Sequence, residues 1–120
     1  MTIFTAYSAP LKDKALELKA RLEVAGHKVC MAVISGLDTE LEYHQVNAKL
    51  MGGCELVFAL WNGISDGCPM DVAMGISLGK PVYAEVICTD RTRICRQTKG
   101  CTYMTRAWAL FSELPNIEEW

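Results

Sequence analysis

The sequence lacks any long hydrophobic run. Its longest apolar stretches, such as residues 56–61, are far shorter than the roughly 20 residues that a membrane helix needs. Residues 1–4 also lack the basic region followed by an apolar run that marks a secretory signal. We therefore expect a cytoplasmic protein with no membrane partner.

A basic face is lacking as well. The 12 Lys and Arg residues are scattered along the chain, and the formal net charge is −2. A nucleic-acid polymer would normally be met by a basic stripe or patch, so we expect no such partner. No Pro/Ser-rich linker, charge block or internal repeat interrupts the 120 residues, of which 51% are hydrophobic. Residues 1–120 are therefore predicted to form a single domain with one modest core.

Cysteine is present, with 6 residues in the chain. An even number would suit disulfides in a secreted protein, but no secretory signal supports them. The spacing of Cys88, Cys95 and Cys101 matches no common zinc pattern. We expect reduced thiols, no metal site and no cofactor.

Short β-prone runs alternate with segments of helical spacing. Apolar residues at Leu11, Ala15, Leu18 and Leu22 predict the inward face of a first helix that Gly26 ends. Asp38 or Thr39 would cap a second helix, with Leu41, Val46 and Leu50 inward. The predicted strands are 3–7, 28–34, 56–61, 82–87 and 101–105, and the predicted helices are 11–25, 39–51, 69–79 and 106–114.

This alternation predicts an α/β fold. Apolar runs such as residues 56–61 are typical of parallel strands covered on both faces. We predict a flavodoxin-like, doubly wound parallel sheet of about five strands in the order 2-1-3-4-5, within three αβα layers. Ligands bind such sheets outside the carboxyl ends of the strands, where the strand order reverses. That position lies between the first and third strands, at residues 7–10 and 62–71.

Polar side chains concentrate in the loop after the third predicted strand, at Asn62, Ser65, Asp66 and Asp71. If Pro69 occupies the first helical position, Asp71 is third, where free N–H groups and the helix dipole favour its ionised form. A charged carboxylate there could act as a nucleophile or stabilise an oxocarbenium-like cation. The two acids could instead have only structural roles, with Asp66 as a turn or capping residue and Asp71 as a stabiliser of the first helical turn.

Residues 71–81, Asp-Val-Ala-Met-Gly-Ile-Ser-Leu-Gly-Lys-Pro, precede a predicted strand. This segment resembles the signature of the nucleoside 2-deoxyribosyltransferase family, which includes related nucleotide N-glycosidases. The family pattern is an acidic loop, then Glu-x-Gly-x-Ala-x-x-x-Gly-Lys-Pro, then a strand. Ala73 and Gly75 keep the small residues in register, although their order is reversed. Residues 4–10 and the Cys54-Glu55 pair are also similar to the family.

The resemblance implies roles for individual residues. Asp71 falls on the nucleophilic Glu, Asp66 on an acid that assists proton transfer to the base, and Tyr7 would orient the carboxylate. Trp61 could stack on a base or belong to the core. His44 could approach the site or lie at the surface. The substrate-binding residues implied are Ser8, Asn47, Trp61, Asn62, Ser65 and Gly67.

The expected function is cleavage or transfer at the N-glycosidic bond of a (deoxy)nucleoside or nucleoside monophosphate. The alternative is a non-catalytic module that binds or sequesters a nucleotide on the same fold. By resemblance, Asn47 lies near the family's base-contacting Asp. Asp71, one methylene shorter than the family's Glu, and Asn47, which cannot take up a proton as Asp could, favour that alternative. By resemblance, a small nucleoside or nucleotide is the partner, and a homodimer or higher homo-oligomer is expected, with the tail ending at Trp120 completing a neighbouring site.

Overall fold

The computed structural model describes residues 1–62 and 65–86. A parallel sheet forms its centre, with strands in the order β2-β1-β3-β4. Ile3 of β1 pairs with Val29 of β2 and Leu56 of β3, and Val57 pairs with Val82 of β4. The strands are β1 (Thr2–Tyr7), β2 (Lys28–Met31), β3 (Leu56–Trp61) and β4 (Val82–Val86), and the helices are α1 (Lys12–Val24), α2 (Glu40–Gly52) and α3 (Gly67–Ser77), with a 3-10 turn at Ala9–Leu11.

This architecture confirms the predicted α/β class and the order of the first four strands. It is consistent with a flavodoxin-like sheet. The predicted fifth strand at 101–105 and the closing helix at 106–114 lie outside the described residues. Among the described residues, no helix has the length and apolar character required to cross a membrane.

The core lies on the two central strands. Every residue of β3 is buried, and so is β1 from Ile3 to Tyr7. On α1 and the turn before it, the predicted inward residues Leu11, Ala15, Leu18 and Leu22 are all buried. Their spacing of three and four places one apolar stripe along the helix against the sheet.

The second helix has a different inward face from the predicted one. Thr39 caps α2, because its side chain accepts a hydrogen bond from the Glu42 N–H. The inward placement of Leu41 is wrong, since this side chain is 64% exposed. Asn47 and Met51, one turn apart, are the buried residues of α2. Asn47 accepts a hydrogen bond from the Val33 N–H and donates one to the Val33 carbonyl, and this pair of bonds fixes the rotation of the helix that turns Leu41 outward.

Strand β2 is also shorter than predicted, because it ends at Met31 rather than at residue 34. One further bond, from the Ala32 N–H to the Thr5 carbonyl, still ties the chain to β1. Val33 and Ile34 then leave the sheet and contribute to the wall of a cavity. The loop that follows β2 therefore belongs to the same edge of the sheet as the loops after β1 and β3.

Helix α3 approaches the sheet very closely at Gly75. A Cβ atom on this residue would lie 2.9 Å from Val82 Cγ2 and 3.0 Å from Val57 Cγ2. Only glycine leaves room for that approach. The helix is followed by Gly79 with φ of 72°, a left-handed conformation that glycine adopts without strain. The glycines of the 71–81 motif thus serve helix–strand packing and the turn into β4.

Candidate functional site

A cavity of about 430 Å³ opens at the carboxyl ends of β1 and β3, where the strand order reverses. Its wall comes from the loop after β1, the loop after β2 with the first turns of α2, and the start of α3. This is the place that the topology predicts for a ligand. The volume lies within the range of small-molecule sites, roughly 300–1,000 Å³.

Asp71 lies in the wall of this cavity, but not at the predicted position of its helix. Helix α3 begins at Gly67, so Pro69 is its third residue and Asp71 its fifth. The free N–H groups of a helix belong to its first four residues, and they do not favour the ionised form of Asp71. Asp71 is only 6% exposed. This burial raises the pKa of its carboxyl from 3.8 to about 7, which is opposite in direction to the effect expected from the helix N-terminus.

Within the described part of the chain, the Asp71 side chain forms no hydrogen bond and no ion pair. Cys68 lies one turn earlier on α3, is 2% exposed, and also lines the cavity. Its thiol donates to the Leu60 carbonyl at 3.6 Å. Burial, and then the charge of Asp71, raise the pKa of the Cys68 thiol far above its usual range. Cys68 therefore remains protonated beside the carboxylate.

A set of hydrogen bonds joins the loops after β1 and β3. The Ser8 hydroxyl lies 2.7 Å from that of Ser65 and accepts a hydrogen bond from the Asn62 N–H at 3.0 Å. Ser65 N–H donates to Asn62 Oδ1 at 3.0 Å, and Trp61 Nε1–H donates to the Ser65 carbonyl at 2.8 Å. Ser8 and Ser65 both line the cavity.

Trp61 and Asn62 do not line it. Both are buried, at 4% and 5% exposed, and their hydrogen bonds hold Ser65 in place. Trp61 belongs to the hydrophobic core, which is one of the two places predicted for it. Asn62 is expected to contact the substrate, but in the described part of the chain it does not line the cavity.

Tyr7, the last residue of β1, lines the cavity and is 7% exposed. Burial raises the pKa of its hydroxyl. Within the described residues no hydrogen bond joins this hydroxyl to Asp71. The two side chains share the cavity, but the predicted orienting contact is not formed.

Asn47 also lines the cavity, yet both ends of its amide are already used. Its Oδ1 accepts from the Val33 N–H at 2.8 Å, and its Nδ2 donates to the Val33 carbonyl at 3.0 Å. This pair of bonds ties α2 to the loop after β2. The main role of the Asn47 amide is therefore to hold the wall of the cavity in place.

The mouth of the cavity carries further polar side chains. Asp66 and Gly67 are exposed there, at the start of α3. The first turns of α2 add Glu40, Tyr43 and His44. Of these three, sequence reasoning named only His44 as able to approach the site. The sequence did contain a signal for Glu40 and Tyr43. The predicted pairing of β2 with β1 places the loop after β2, and the start of α2, at the same carboxyl end of the sheet.

Within residues 1–62 and 65–86, no three His, Cys, Asp or Glu side chains form a group able to hold a metal ion. Cys30, Cys54 and Cys68 are free thiols, while the other cysteines lie outside the described residues. The cavity thus offers a buried carboxylate, hydroxyl groups and apolar surface to an organic ligand. Compared with known proteins, the chain matches no family model and no curated sequence.

Proposed function

We propose that the protein cleaves or transfers the N-glycosidic bond of a nucleoside or nucleoside monophosphate, with the Asp71 carboxylate as nucleophile. One observation carries the proposal. Asp71 is only 6% exposed, has no partner for its carboxylate among the described residues, and lies in the wall of a cavity of about 430 Å³ at the switch point of the sheet. Burying an unpaired carboxylate is costly, so its retention in a cavity points to chemistry rather than to stability.

The chemistry of the glycosidic bond suits such a group. In the transition state, positive charge develops at C1′ of the sugar, and an adjacent carboxylate stabilises it. An oxygen of Asp71 forms a bond to C1′ while the electron pair of the C1′–N bond moves to the base. Water or a second base then takes the sugar and releases the carboxylate. Burial removes water from Asp71, which strengthens its attraction for the developing cation.

The remaining wall suits a nucleoside. The hydroxyls of Tyr7 and Ser65 can bond to the sugar, while Ser8 holds Ser65 in place. Ile34 and Met70 supply apolar surface for a planar base. The resemblance of residues 71–81 to the deoxyribosyltransferase signature supports the same assignment of Asp71.

A second candidate is a module that binds or sequesters a nucleotide without chemistry. The observation that favours it is the amide of Asn47, whose two polar ends are taken up by the Val33 backbone. One N–H and one lone pair of the amide are thereby committed, and an amide has no acidic proton to give to a leaving base. A protein that binds without turnover would show ligand-induced thermal stabilisation and no release of base.

The deciding experiment incubates the protein with a panel of deoxynucleosides, ribonucleosides and their monophosphates and measures free base by chromatography. We expect release of base from at least one member. Asp71→Asn keeps the shape of the side chain and removes its charge, and it should abolish the release. The matched control is Asp13→Asn, since Asp13 is an exposed carboxylate in the first turn of α1. Release that survives in Asp71→Asn would contradict the proposed nucleophile.

The resemblance also supports a homo-oligomer and a small-molecule partner, which we include in the proposal together with the cytoplasmic location expected from the sequence. Sedimentation equilibrium of the full chain, with base release measured over the same concentrations, tests the oligomer. We expect activity per chain to fall when dilution separates the subunits. A monomer with undiminished activity would contradict this part.

A further inference from the structure

The described wall of the cavity is acidic. Asp71 lies inside it, and Asp66 and Glu40 lie at its mouth, whereas no Lys or Arg of the described chain lines it. Within that part of the chain, none of the three carboxylates forms an ion pair. His44 is the one lining residue there that can carry a positive charge, and the carboxylates outnumber it.

Of the three acids, Asp71 is the buried one: it lines the cavity, is only 6% exposed, and its carboxylate has no partner among the described residues. In a cavity with low-dielectric walls, like charges reinforce one another and focus the field on the ligand. Such a site repels a phosphate dianion and attracts a cation. The charge of the wall therefore discriminates between ligands of similar shape, because it disfavours a phosphate and favours a positively charged ring.

The leaving base gives a second, chemical reason. A neutral base departs from C1′ as an anion unless an acid protonates it in the transition state. Asn47, near the place of the family's base-contacting Asp, has no acidic proton to give and is hydrogen-bonded to the Val33 backbone. Asp66, to which the resemblance gives proton transfer to the base, lies exposed at the mouth of the cavity rather than inside it. A base that already carries a positive charge needs no such acid, because it departs as a neutral molecule.

On the basis of the proposed function, we propose that the preferred substrates are N-glycosides of a positively charged base, such as pyridinium ribosides, rather than neutral nucleosides or 5′-monophosphates. An Asp71 oxygen forms a bond to C1′ as the C1′–N bond breaks. The electron pair of the C1′–N bond moves to the ring nitrogen and cancels its positive charge. Water then bonds to C1′, the C1′–O bond to Asp71 breaks with its pair returning to the carboxylate, and a proton goes to solvent. Each turnover yields a neutral base, a free sugar and one proton.

Two pairs of compounds test the preference. Nicotinamide riboside and its 5′-monophosphate share one leaving group, so the ratio of their kcat/KM values measures the effect of the phosphate alone. We expect the riboside to lead by at least about tenfold, because like charges facing each other in a site are strongly disfavoured. Binding of 1-methylnicotinamide and of nicotinamide, measured by calorimetry, isolates the ring charge, and the cation should bind more tightly. Added salt should shrink both differences.

A variant links the preference to the wall. Glu40→Gln should lower kcat/KM for the riboside and the affinity for 1-methylnicotinamide by about fivefold each. The control is Glu55→Gln, an exposed carboxylate just before β3 at the opposite edge of the sheet, which should change neither.

The outcomes separate the two proposals. If neutral nucleosides or monophosphates are cleaved as fast as the riboside, and binding shows no preference for the cation, the substrate preference is overturned. The proposed glycosidase activity then stands. Tighter binding of 1-methylnicotinamide without cleavage of any glycoside keeps the charge preference and overturns the proposed function. Neither binding nor cleavage overturns both.

Discussion

The hydroxyl oxygen of Ser8 lies 2.7 Å from that of Ser65 and joins the loop after β1 to the loop after β3. The same Ser8 oxygen accepts a hydrogen bond from the Asn62 N–H at 3.0 Å. Ser8 is 1% exposed, so water does not compete for these contacts. One buried hydroxyl therefore holds together the two loops between which the cavity opens.

Ser8→Ala should lower the free energy of unfolding by about 1–3 kcal/mol, because it leaves the buried Asn62 N–H without its acceptor. Urea unfolding followed by circular dichroism measures the change. Ser35→Ala, at an exposed position of the β2–α2 loop, is the control and should change stability by less than about 0.5 kcal/mol. Equal stabilities of Ser8→Ala and the wild type would show that the bridge is not needed.

Asp71→Asn should stabilise the protein at alkaline pH. Burial raises the pKa of Asp71 from 3.8 to about 7, so the folded protein binds more protons than the unfolded chain between those values. Stability therefore falls as pH rises through this window, and the ionised carboxylate costs roughly 4 kcal/mol above it. The stability gained by the variant should be much larger at about pH 8 than at about pH 4. A gain independent of pH would contradict the raised pKa.

The same titration predicts the pH dependence of catalysis. Only ionised Asp71 can attack C1′, so kcat/KM for base release should rise with pH through about 7. Initial rates measured with one substrate across this range provide the profile. A rate that falls through the same range would instead indicate that Asp71 acts as a proton donor.

Asn47→Asp should destabilise the fold, although it restores the residue type that the resemblance implies. A carboxylate can still accept from the Val33 N–H, but it cannot donate to the Val33 carbonyl, 3.0 Å from Nδ2. Loss of that bond should cost about 1–3 kcal/mol in urea unfolding at neutral pH. Gln45→Glu makes the same amide-to-acid change on the exposed face of α2 and should be nearly neutral. Comparable losses in both variants would argue that helix charge, not the bond, is responsible.

Gly75→Ala should also be destabilising, by about 1–3 kcal/mol, since the new methyl group overpacks the contact of α3 with the sheet. Its Cβ would lie 2.9 Å from Val82 Cγ2 and 3.0 Å from Val57 Cγ2. Gly52→Ala is the matched control, because nothing lies within 4 Å of the Cβ added there. Thermal unfolding of both variants decides the point: a Gly75→Ala variant as stable as Gly52→Ala would mean that the helix can shift at little cost.

The elements and their order follow from local pattern. The apolar run at residues 56–61 became β3, and the spacing of Leu11, Ala15, Leu18 and Leu22 gave the buried side of α1. Parallel topology then placed the cavity at the edge between β1 and β3. These features depend on periodicities of two or three to four residues and on the handedness of crossovers, all of which a sequence carries.

The placement of Leu41 was wrong because a contact between separate elements decides it. The inward face of α2 depends on the hydrogen bonds between Asn47 and the Val33 backbone, which the apolar pattern alone does not predict. For Trp61 the sequence left two places open, and the structure places it in the core, with its indole N–H donating to the Ser65 carbonyl.

The sequence by itself determined which segments form β1 to β4 and α1 to α3, the order of these strands, and the end of the sheet at which Asp71 and Ser8 line one cavity. Only the tertiary structure decided the pKa of Asp71. The walls packed around its side chain exclude water and raise this pKa to about 7. Desolvation is set by every group that surrounds a side chain, and those groups come from strands and loops far apart along the chain.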